Sequence, residues 1–277
     1  MDFRRIAAFS DGDIGGNPAG VWIGDALPDD ATMQRLAREI GYSETVFTAP
    51  SKKAWRVRYF SPESEVPFCG HATIALGAAL ALDHGDGMYA LALNDAHITV
   101  EGRRSGERLS ATLQSPHTHS QAADPALTAD ALALFDCASS DLDWRIPPAI
   151  ASAGATHLLL ALSSRKKLAA MSYDLDAGRK LMQRARVVTI ALVHAETPQR
   201  FHARNAFASG GVYEDPATGA AAAALAGYLR DISWPHHGAI DIVQGEDMGS
   251  RSLLHAEFTR VAGSSIRVSG TARVMKP

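Results

Sequence analysis

The pattern of hydrophobic and polar positions is dominated by two long apolar stretches that are rich in alanine. One runs through residues 68–80 and the other through residues 214–225. Both keep an apolar character over several helical turns, and each follows a short motif that contains glycine or proline. They predict two helices, at residues 71–82 and 218–230.

The two stretches are similar enough to indicate a duplicated domain. Ala72-Thr73 can be laid on Ala217-Thr218, and the upstream segments that begin at Arg58 and Arg204 then match at nearly the same spacing. A repeat of this length indicates two copies of a domain rather than a solenoid. The two helix starts are therefore expected to face each other across a cleft.

Alternation and helical spacing predict the remaining elements. The predicted strands are 3–9, 19–23, 42–48, 55–60, 88–93, 97–102, 107–113, 156–162, 187–194, 201–207, 239–244, 253–258 and 266–274, with helices at 29–40, 125–135 and 175–185 and loops at 11–18 and 61–67. Many strands with two main helices in each half predict an α+β fold. We place the N-terminal lobe at residues 1–117, completed by the last strand at 264–277, and the C-terminal lobe at 118–263, with a linker at 117–124.

Composition and charge narrow the range of partners. The 277 residues are 46% hydrophobic and 21% charged, and a formal net charge of −3 gives no reason to expect a nucleic-acid partner. No uncharged apolar stretch reaches about 18 residues, and the N-terminus lacks the features of a signal peptide. The only two cysteines, Cys69 and Cys137, argue against a disulfide scaffold and a cysteine zinc site. We therefore expect a cytoplasmic protein with neither a membrane nor a nucleic-acid partner.

The two helix starts carry the first candidate chemistry. Asp215-Pro216 predicts a helix N-cap followed by the first helical position, with Thr218 in the first turn. Unpaired N–H groups at a helix start suit a carboxylate, and Gly70 and Gly219 allow a ligand to approach the backbone. Two such ends could hold a small anionic substrate from both sides. The alternative is that Asp215 only caps its helix.

Two further side chains are candidates for proton transfer. His71 stands at the first helix start, where a neutral imidazole could pass a proton near neutral pH; a structural histidine is the alternative. Glu44 lies among residues that otherwise predict a buried strand, and burial would raise the pKa of its carboxyl group. The alternative for Glu44 is an exposed position at the edge of a sheet.

Cys69 leaves two interpretations open. Cys69-Gly70-His71 is similar to the Cys-Gly-Asn loop of cofactor-independent racemases that use two cysteines, but the opposing motif at residues 215–218 contains no cysteine. Cys69 is then either a thiol near the site or a buried free cysteine. The histidine pairs at 117 and 119 and at 236 and 237 lack the spacing of common metal sites, and glycine-rich nucleotide motifs are absent from the sequence.

Several motifs taken together resemble the PhzF-like (phenazine biosynthesis) isomerase family. They are Gly16-Asn17-Pro18-Ala19-Gly20-Val21, Ser43-Glu44-Thr45-Val46-Phe47, Arg58-Tyr59-Phe60-Ser61-Pro62, Glu65-Val66-Pro67-Phe68-Cys69-Gly70-His71-Ala72-Thr73, Glu214-Asp215-Pro216-Ala217-Thr218-Gly219-Ala220 and Ile266-Arg267-Val268-Ser269-Gly270-Thr271-Ala272. The resemblance implies the diaminopimelate-epimerase-like fold. In that fold two similar lobes each wrap a curved, barrel-like sheet around a central helix, the site lies between the lobes, and the last strand returns to the first lobe.

The resemblance also implies the roles of the site residues. The family's acid–base residue matches Glu44, and the histidine and aspartate that assist it match His71 and Asp215. The resemblance further implies that the protein uses no metal and no organic cofactor, and family members commonly form homodimers. We assign substrate binding to Asn17, Ser43, Gly70, Ala72, Thr73, Thr218, Gly219 and Ala220, which lie in the same motifs.

Three functions are compatible with these residues. The first is a cofactor-independent isomerase that uses Glu44 to move a proton between carbons of a small carboxylic acid. The best-studied activity of the family acts on trans-2,3-dihydro-3-hydroxyanthranilate, but membership constrains the chemistry more than the substrate. The second is an amino-acid racemase or epimerase that uses Cys69 with Glu44. The third is a non-catalytic protein that binds a small acid.

Overall fold

The computed structural model describes residues 3–276 of the chain. Within this range the strands are β1 (Arg4–Ala8), β2 (Asn17–Ile23), β3 (Glu44–Ser51), β4 (Ala54–Phe60), β5 (Glu65–Val66), β6 (Gly87–Ala92), β7 (His97–Ser105), β8 (Arg108–Gln114), β9 (His119–Ala122), β10 (Ala149–Ser152), β11 (Thr156–Ala161), β12 (Thr189–Ala195), β13 (Arg200–Phe207), β14 (Val212–Asp215), β15 (Ala239–Gln244), β16 (Ser252–Glu257) and β17 (Arg267–Val274). The α-helices of the same range are α1 (Asp30–Ile40), α2 (Gly70–His84), α3 (Pro125–Leu134), α4 (Arg165–Ala169), α5 (Leu175–Ala185) and α6 (Gly219–Asp231). Among these described residues, no helix is both long and apolar enough to span a membrane.

Eight of these strands close into a barrel around α2, which we call the first barrel. Their order is β1, β2, β3, β4, β6, β7, β8 and β17, and β17 pairs back with β1. The β2–β3 and β4–β6 pairs are parallel, and the other pairs are antiparallel. The last strand of the chain therefore completes the sheet that the first strand begins.

The position of α2 inside this barrel explains its sequence. Residues 70–81 are all buried, because strands surround the helix and leave it no polar face. On β8, the alternating residues Leu109, Ala111 and Leu113 point inward and are buried. The packing is close enough that a Cβ atom on Gly102 of β7 would clash with the carbonyl oxygen of Gly77. Alanine and glycine are therefore needed where the helix and the sheet approach most closely.

The second half of the chain repeats this arrangement around α6. The strands β9, β10, β11, β12, β13, β15, β16 and the beginning of β17 follow one another as neighbours in a curved sheet, which we call the second barrel. Residues 219–230 of α6 are all buried within it. Helices α3, α4 and α5 lie outside this sheet, over a separate cluster of buried residues that includes Leu158, Leu160 and Met182.

The structure corrects several predicted elements. The expected linker at 117–124 contains β9, which pairs with the unpredicted strand β10. These four-residue strands are too short to show alternation, and β9 is mostly exposed and polar. The short strands β5 and β14 and the helix α4 were also missed for lack of length. Asn17, predicted in a loop, begins β2 opposite Ala8. The division into lobes at residues 117 and 118 stays a prediction.

Candidate active site

The N-termini of α2 and α6 meet at the junction of the two barrels. Cys69 and Thr218 are the N-cap residues, and Gly70 and Gly219 are the first helical residues. A Cβ atom on Gly70 would lie 2.8 Å from the amide nitrogen of Ala220 and 2.9 Å from the Cα atom of Gly219. The two helix starts face each other as predicted, but at Gly70 and Gly219 their backbones are in direct contact instead of being separated by a cleft.

This contact corrects the alignment of the internal repeat. Gly70 and Gly219 occupy the same helical position, so Cys69 corresponds to Thr218 and Ala72 corresponds to Ala221. Laying Ala72-Thr73 on Ala217-Thr218 was therefore wrong by four residues. Alanine-rich helices match one another at many offsets, and at the correct one Gly70 falls on Gly219 and Leu76 falls on Leu225.

The close backbone contact at Gly70 predicts that any side chain larger than glycine destabilises the protein there. A Gly70→Ala substitution is expected to lower the free energy of unfolding by about 1–3 kcal/mol, because the backbone atoms of Gly219 and Ala220 must move to admit the methyl group. Chemical denaturation measures this change. Gly87→Ala is the matched control, because the nearest heavy atom to its Cβ would be Tyr89 Cζ at 3.8 Å. Equal stability of the two variants would contradict close packing at Gly70.

Glu44 begins β3 in the first barrel and is buried, so the alternative of an exposed edge position is wrong. Its Oε2 atom lies 3.4 Å from His71 Nε2 and, within residues 3–276, accepts no hydrogen bond. Burial raises the pKa of Glu44 to about 7, and the neighbouring donors Ser43 and Cys69 offset part of the rise. The carboxyl group can therefore both accept and donate a proton near neutral pH.

His71 lies in the first turn of α2, buried beside Glu44. Its Nδ1 atom is 3.3 Å from Cys69 Sγ, and its Nε2 atom is 3.5 Å from Ser43 Oγ. Burial lowers the pKa of His71 to about 3, so the imidazole is neutral. The 3.4 Å separation from Glu44 falls within the range of an ion pair, but a neutral imidazole forms no ion pair. The contact between His71 and Glu44 is therefore a polar contact to a neutral imidazole and not an ion pair.

Asp215 approaches from the second barrel. It ends β14 opposite Asn205, and α6 begins only at Gly219, so the prediction that Asp215 caps a helix was wrong. Its carboxyl group accepts hydrogen bonds from Asn17 Nδ2 at 2.6 Å and from Thr218 Oγ1 at 2.5 Å. Burial first, and then the charge of Glu44, raise the pKa of Asp215 to about 8. Its backbone pairs in the sheet, which leaves the N-cap position to Thr218.

Two amide side chains hold the segment between Asp215 and Thr218. Asn17 donates to Asp215 and also to the carbonyl oxygen of Ala217 at 2.9 Å. Gln244 donates to the carbonyl oxygen of Asp215 at 2.7 Å and accepts from the amide of Thr218 at 3.1 Å. Asn17 therefore positions Asp215, and its predicted contact with substrate stays a prediction. Gln244 was missed, and the only signal was a polar residue at the end of the apolar strand 239–244.

The remaining predicted binding residues divide into two groups. Gly70, Ala72, Gly219 and Ala220 lie in the first turns of α2 and α6, where N–H groups have no partner within the helix. Thr73 and Thr218 instead form hydrogen bonds with other groups of the protein. Thr73 Oγ1 contacts Tyr59 and the carbonyl oxygen of Cys69, both at 2.7 Å, and the Thr218 amide donates to Gln244. The candidate groups for binding an anion are therefore the first-turn amides beside Gly70 and Gly219.

The raised pKa of Glu44 predicts a pH-dependent stability. The folded protein keeps this proton up to about pH 7, whereas an unfolded glutamate loses it near 4.5. The contribution to the free energy of unfolding is therefore present below about pH 4.5 and lost as the pH rises through 7. Relative to wild type, Glu44→Gln is expected to gain up to about 3 kcal/mol between about pH 4 and pH 8. Denaturation across this range measures the difference. Glu39→Gln is the control, because Glu39 lies on the surface. If the free energy of unfolding changed with pH in the same way for wild type and Glu44→Gln, the raised pKa of Glu44 would be contradicted.

One group of side chains could hold a metal ion. Glu44, Cys69 and His71 are all buried, and each offers a donor atom within 4.8 Å of the other two. Sequence analysis considered Cys69 as a thiol but missed this cluster, because Glu44 is distant in the sequence and only the packing of β3 against α2 brings it close. The expectation that the chain binds no metal stays a prediction.

Comparison with known proteins identifies the family. The family model for phenazine biosynthesis-like proteins (PhzC-PhzF) matches residues 6–276. The chain belongs to the phenazine biosynthesis-like family. An uncharacterized isomerase of Pseudomonas aeruginosa is 31% identical over 234 residues, which cover 82% of this chain and 81% of that protein. The uncharacterized isomerase YfhB of Bacillus subtilis is 30% identical over 284 residues, which cover 97% of this chain and 94% of that protein.

Solved structures agree with this family assignment. A predicted epimerase from Pseudomonas aeruginosa has a TM-score of 0.86 and 25% identity, with 99% of this chain and 96% of that chain covered. A hydroxyproline epimerase from Agrobacterium vitis has a TM-score of 0.65 at 13% identity, with 99% and 90% covered, and is similar in fold alone. The predicted diaminopimelate-epimerase-like fold is therefore confirmed, as is the prediction that this PhzF-family member is an isomerase.

Proposed function

We propose that this protein is a cofactor-independent isomerase that moves a proton between carbon atoms of a small carboxylic acid. The observation that carries the proposal is Glu44. It is buried, its pKa lies near neutrality, and its Oε2 atom accepts no hydrogen bond from any described residue. Such a carboxylate is suited to remove a proton from carbon and to return it.

The proposed reaction balances on the substrate and Glu44 alone. The ionised Glu44 takes a proton from a carbon atom, and the electron pair of the broken C–H bond moves into the adjacent unsaturated system of the substrate. The proton is then returned at another carbon, so Glu44 ends as it began. His71, neutral and 3.4 Å away, and Asp215, which is largely protonated at pH 7, orient the substrate as hydrogen-bond partners.

The substrate's carboxylate would be held by the two helix starts. The first turns of α2 and α6, which begin at Gly70 and Gly219, meet from opposite barrels, and both helix dipoles place their positive ends at this junction. A small anionic substrate therefore fits this junction better than a cation or a neutral molecule. The homodimer and the cytoplasmic location stay predictions of the family resemblance and of the sequence.

A racemase that uses Cys69 is the second candidate. Its support is the position of Cys69 Sγ, 3.3 Å from His71 Nδ1 and close to Glu44. Against it, burial raises the pKa of the Cys69 thiol, which disfavours the thiolate that accepts a proton. A Cys69→Ala variant separates the two, because only the racemase requires near-complete loss of activity.

Deuterium exchange tests the proposal. The protein would be incubated in heavy water with a panel of small cyclic and amino carboxylic acids, including trans-2,3-dihydro-3-hydroxyanthranilate, and mass spectrometry would follow deuterium entering carbon. We expect incorporation into at least one compound that depends on Glu44. Saturable binding of an acid without any exchange would instead support a non-catalytic binding protein and overturn the isomerase.

A further inference from the structure

Three side chains with different donor atoms meet beside the α2 N-terminus. His71 Nε2 lies 3.4 Å from Glu44 Oε2 and 4.0 Å from Cys69 Sγ. All three side chains are at least nine-tenths buried. Glu44 Oε2 accepts no hydrogen bond from the described part of the chain, although a buried carboxylate oxygen normally has a partner. Glu44 Oε2 is therefore free to act as a ligand atom beside the nitrogen of His71 and the sulfur of Cys69.

The spacing of these donor atoms fits a zinc ion. The three donor atoms lie within 4.8 Å of one another, and two of their separations are 3.4 and 4.0 Å, so one ion placed between them would be near all three. Zn²⁺ lies about 2.3 Å from cysteine sulfur and about 2.0–2.1 Å from histidine nitrogen or carboxylate oxygen. Small movements of these side chains would bring all three donors to zinc-binding distances.

The ligand types select among cations. Sulfur, imidazole nitrogen and one carboxylate oxygen suit Zn²⁺, whereas Mg²⁺ and Ca²⁺ prefer sites made of oxygen. A dication bound to one thiolate and one carboxylate has no net charge, which limits the cost of burying it. The three ligands are also fixed in advance, because Cys69 and His71 begin α2 and Glu44 lies on β3, which pairs with β2 and β4.

We propose that Glu44, Cys69 and His71 form a zinc-binding site and that Zn²⁺ bound there inhibits the enzyme. The ion would occupy Glu44 Oε2, the oxygen that accepts the proton in the proposed function, so substrate turnover and zinc occupancy exclude each other. The inhibition rests on the proposed function, whereas the binding does not. Removal of the ion by a chelator restores the free carboxylate.

Cobalt substitution tests the binding directly. Adding Co²⁺ to the reduced, metal-free protein is expected to give a thiolate-to-cobalt charge-transfer band that saturates at one equivalent. Competition with a chromophoric chelator then gives the affinity for Zn²⁺. Cys69→Ser is expected to lose the band and to bind Zn²⁺ on the order of 100-fold or more weakly. Cys137→Ser is the matched control, because the thiol of this second cysteine donates to the carbonyl oxygen of Phe135 and lies outside the cluster of Glu44, Cys69 and His71. We expect this variant to keep both the charge-transfer band and the affinity for Zn²⁺.

The outcomes separate the two proposals. The absence of a charge-transfer band in wild type, or its persistence in Cys69→Ser, would overturn the zinc site while leaving Glu44-dependent exchange intact. Binding without any exchange activity would support the site and count against the isomerase. If both hold, Zn²⁺ should abolish deuterium exchange in wild type, and excess EDTA should restore it. Full exchange by zinc-saturated protein would overturn the inhibitory role.

Discussion

Replacing Glu44 with glutamine is expected to slow turnover of the substrate by about 10²–10⁴-fold, the usual contribution of a general base. Glutamine keeps the size of the side chain but cannot accept a proton from carbon. Glu44 is buried, and its Oε2 atom accepts no hydrogen bond within residues 3–276. The substitution therefore removes no hydrogen bond at this oxygen. The loss should therefore appear in kcat, with KM changed much less.

The compound that incorporates deuterium in the exchange experiment is the substrate for this measurement. Glu39→Gln is the control, because Glu39 is exposed and pairs with Arg35 on the surface of α1. The control should keep wild-type turnover. A Glu44→Gln protein that folds normally and retains full turnover would show that another group moves the proton, and Cys69 would then be the next residue to replace.

Replacing Arg204 with methionine is expected to lower the free energy of unfolding by about 3–5 kcal/mol. Arg204 Nε lies 2.9 Å from one carboxylate oxygen of Glu214, Nη2 lies 2.5 Å from the other, and Nη1 donates to the carbonyl oxygens of Ala169 and Met171. The side chains of Arg204 and Glu214 are only 8% and 3% exposed. The substitution leaves a buried carboxylate and two carbonyl groups without their partner.

The internal repeat supplies a matched control for this prediction. Arg58 pairs with Glu65 between β4 and β5 as Arg204 pairs with Glu214 between β13 and β14, but these side chains are 16% and 26% exposed. Arg58→Met is therefore expected to cost only about 1 kcal/mol. Urea denaturation of both variants measures the difference. The explanation by charge burial would be wrong if both variants lost the same free energy of unfolding. It would also be wrong if adding Glu214→Leu to Arg204→Met restored none of the lost stability.

Much of the fold follows from local physical chemistry that the sequence displays directly. The helix α5 was predicted at its observed limits, because its apolar residues recur at helical spacing. The alanine-rich stretches predicted α2 and α6, since a helix enclosed by a sheet needs small apolar residues on every face. The strands β9, β10 and β14 escaped prediction, because a strand of four residues has too few positions to show a period.

The candidate site likewise combines features that the sequence displays with features that only the folded structure determines. The sequence by itself determined the candidate residues for the chemistry, since Glu44 in an apolar strand and His71 at a helix start are unusual enough to be noticed alone. Only the tertiary structure decided that Asp215 ends a strand and is held by Asn17 and Gln244, and that Glu44 and Cys69 are neighbours. The physical reason is that burial and contact between distant segments set these pKa values and hydrogen bonds, and local sequence patterns do not encode them.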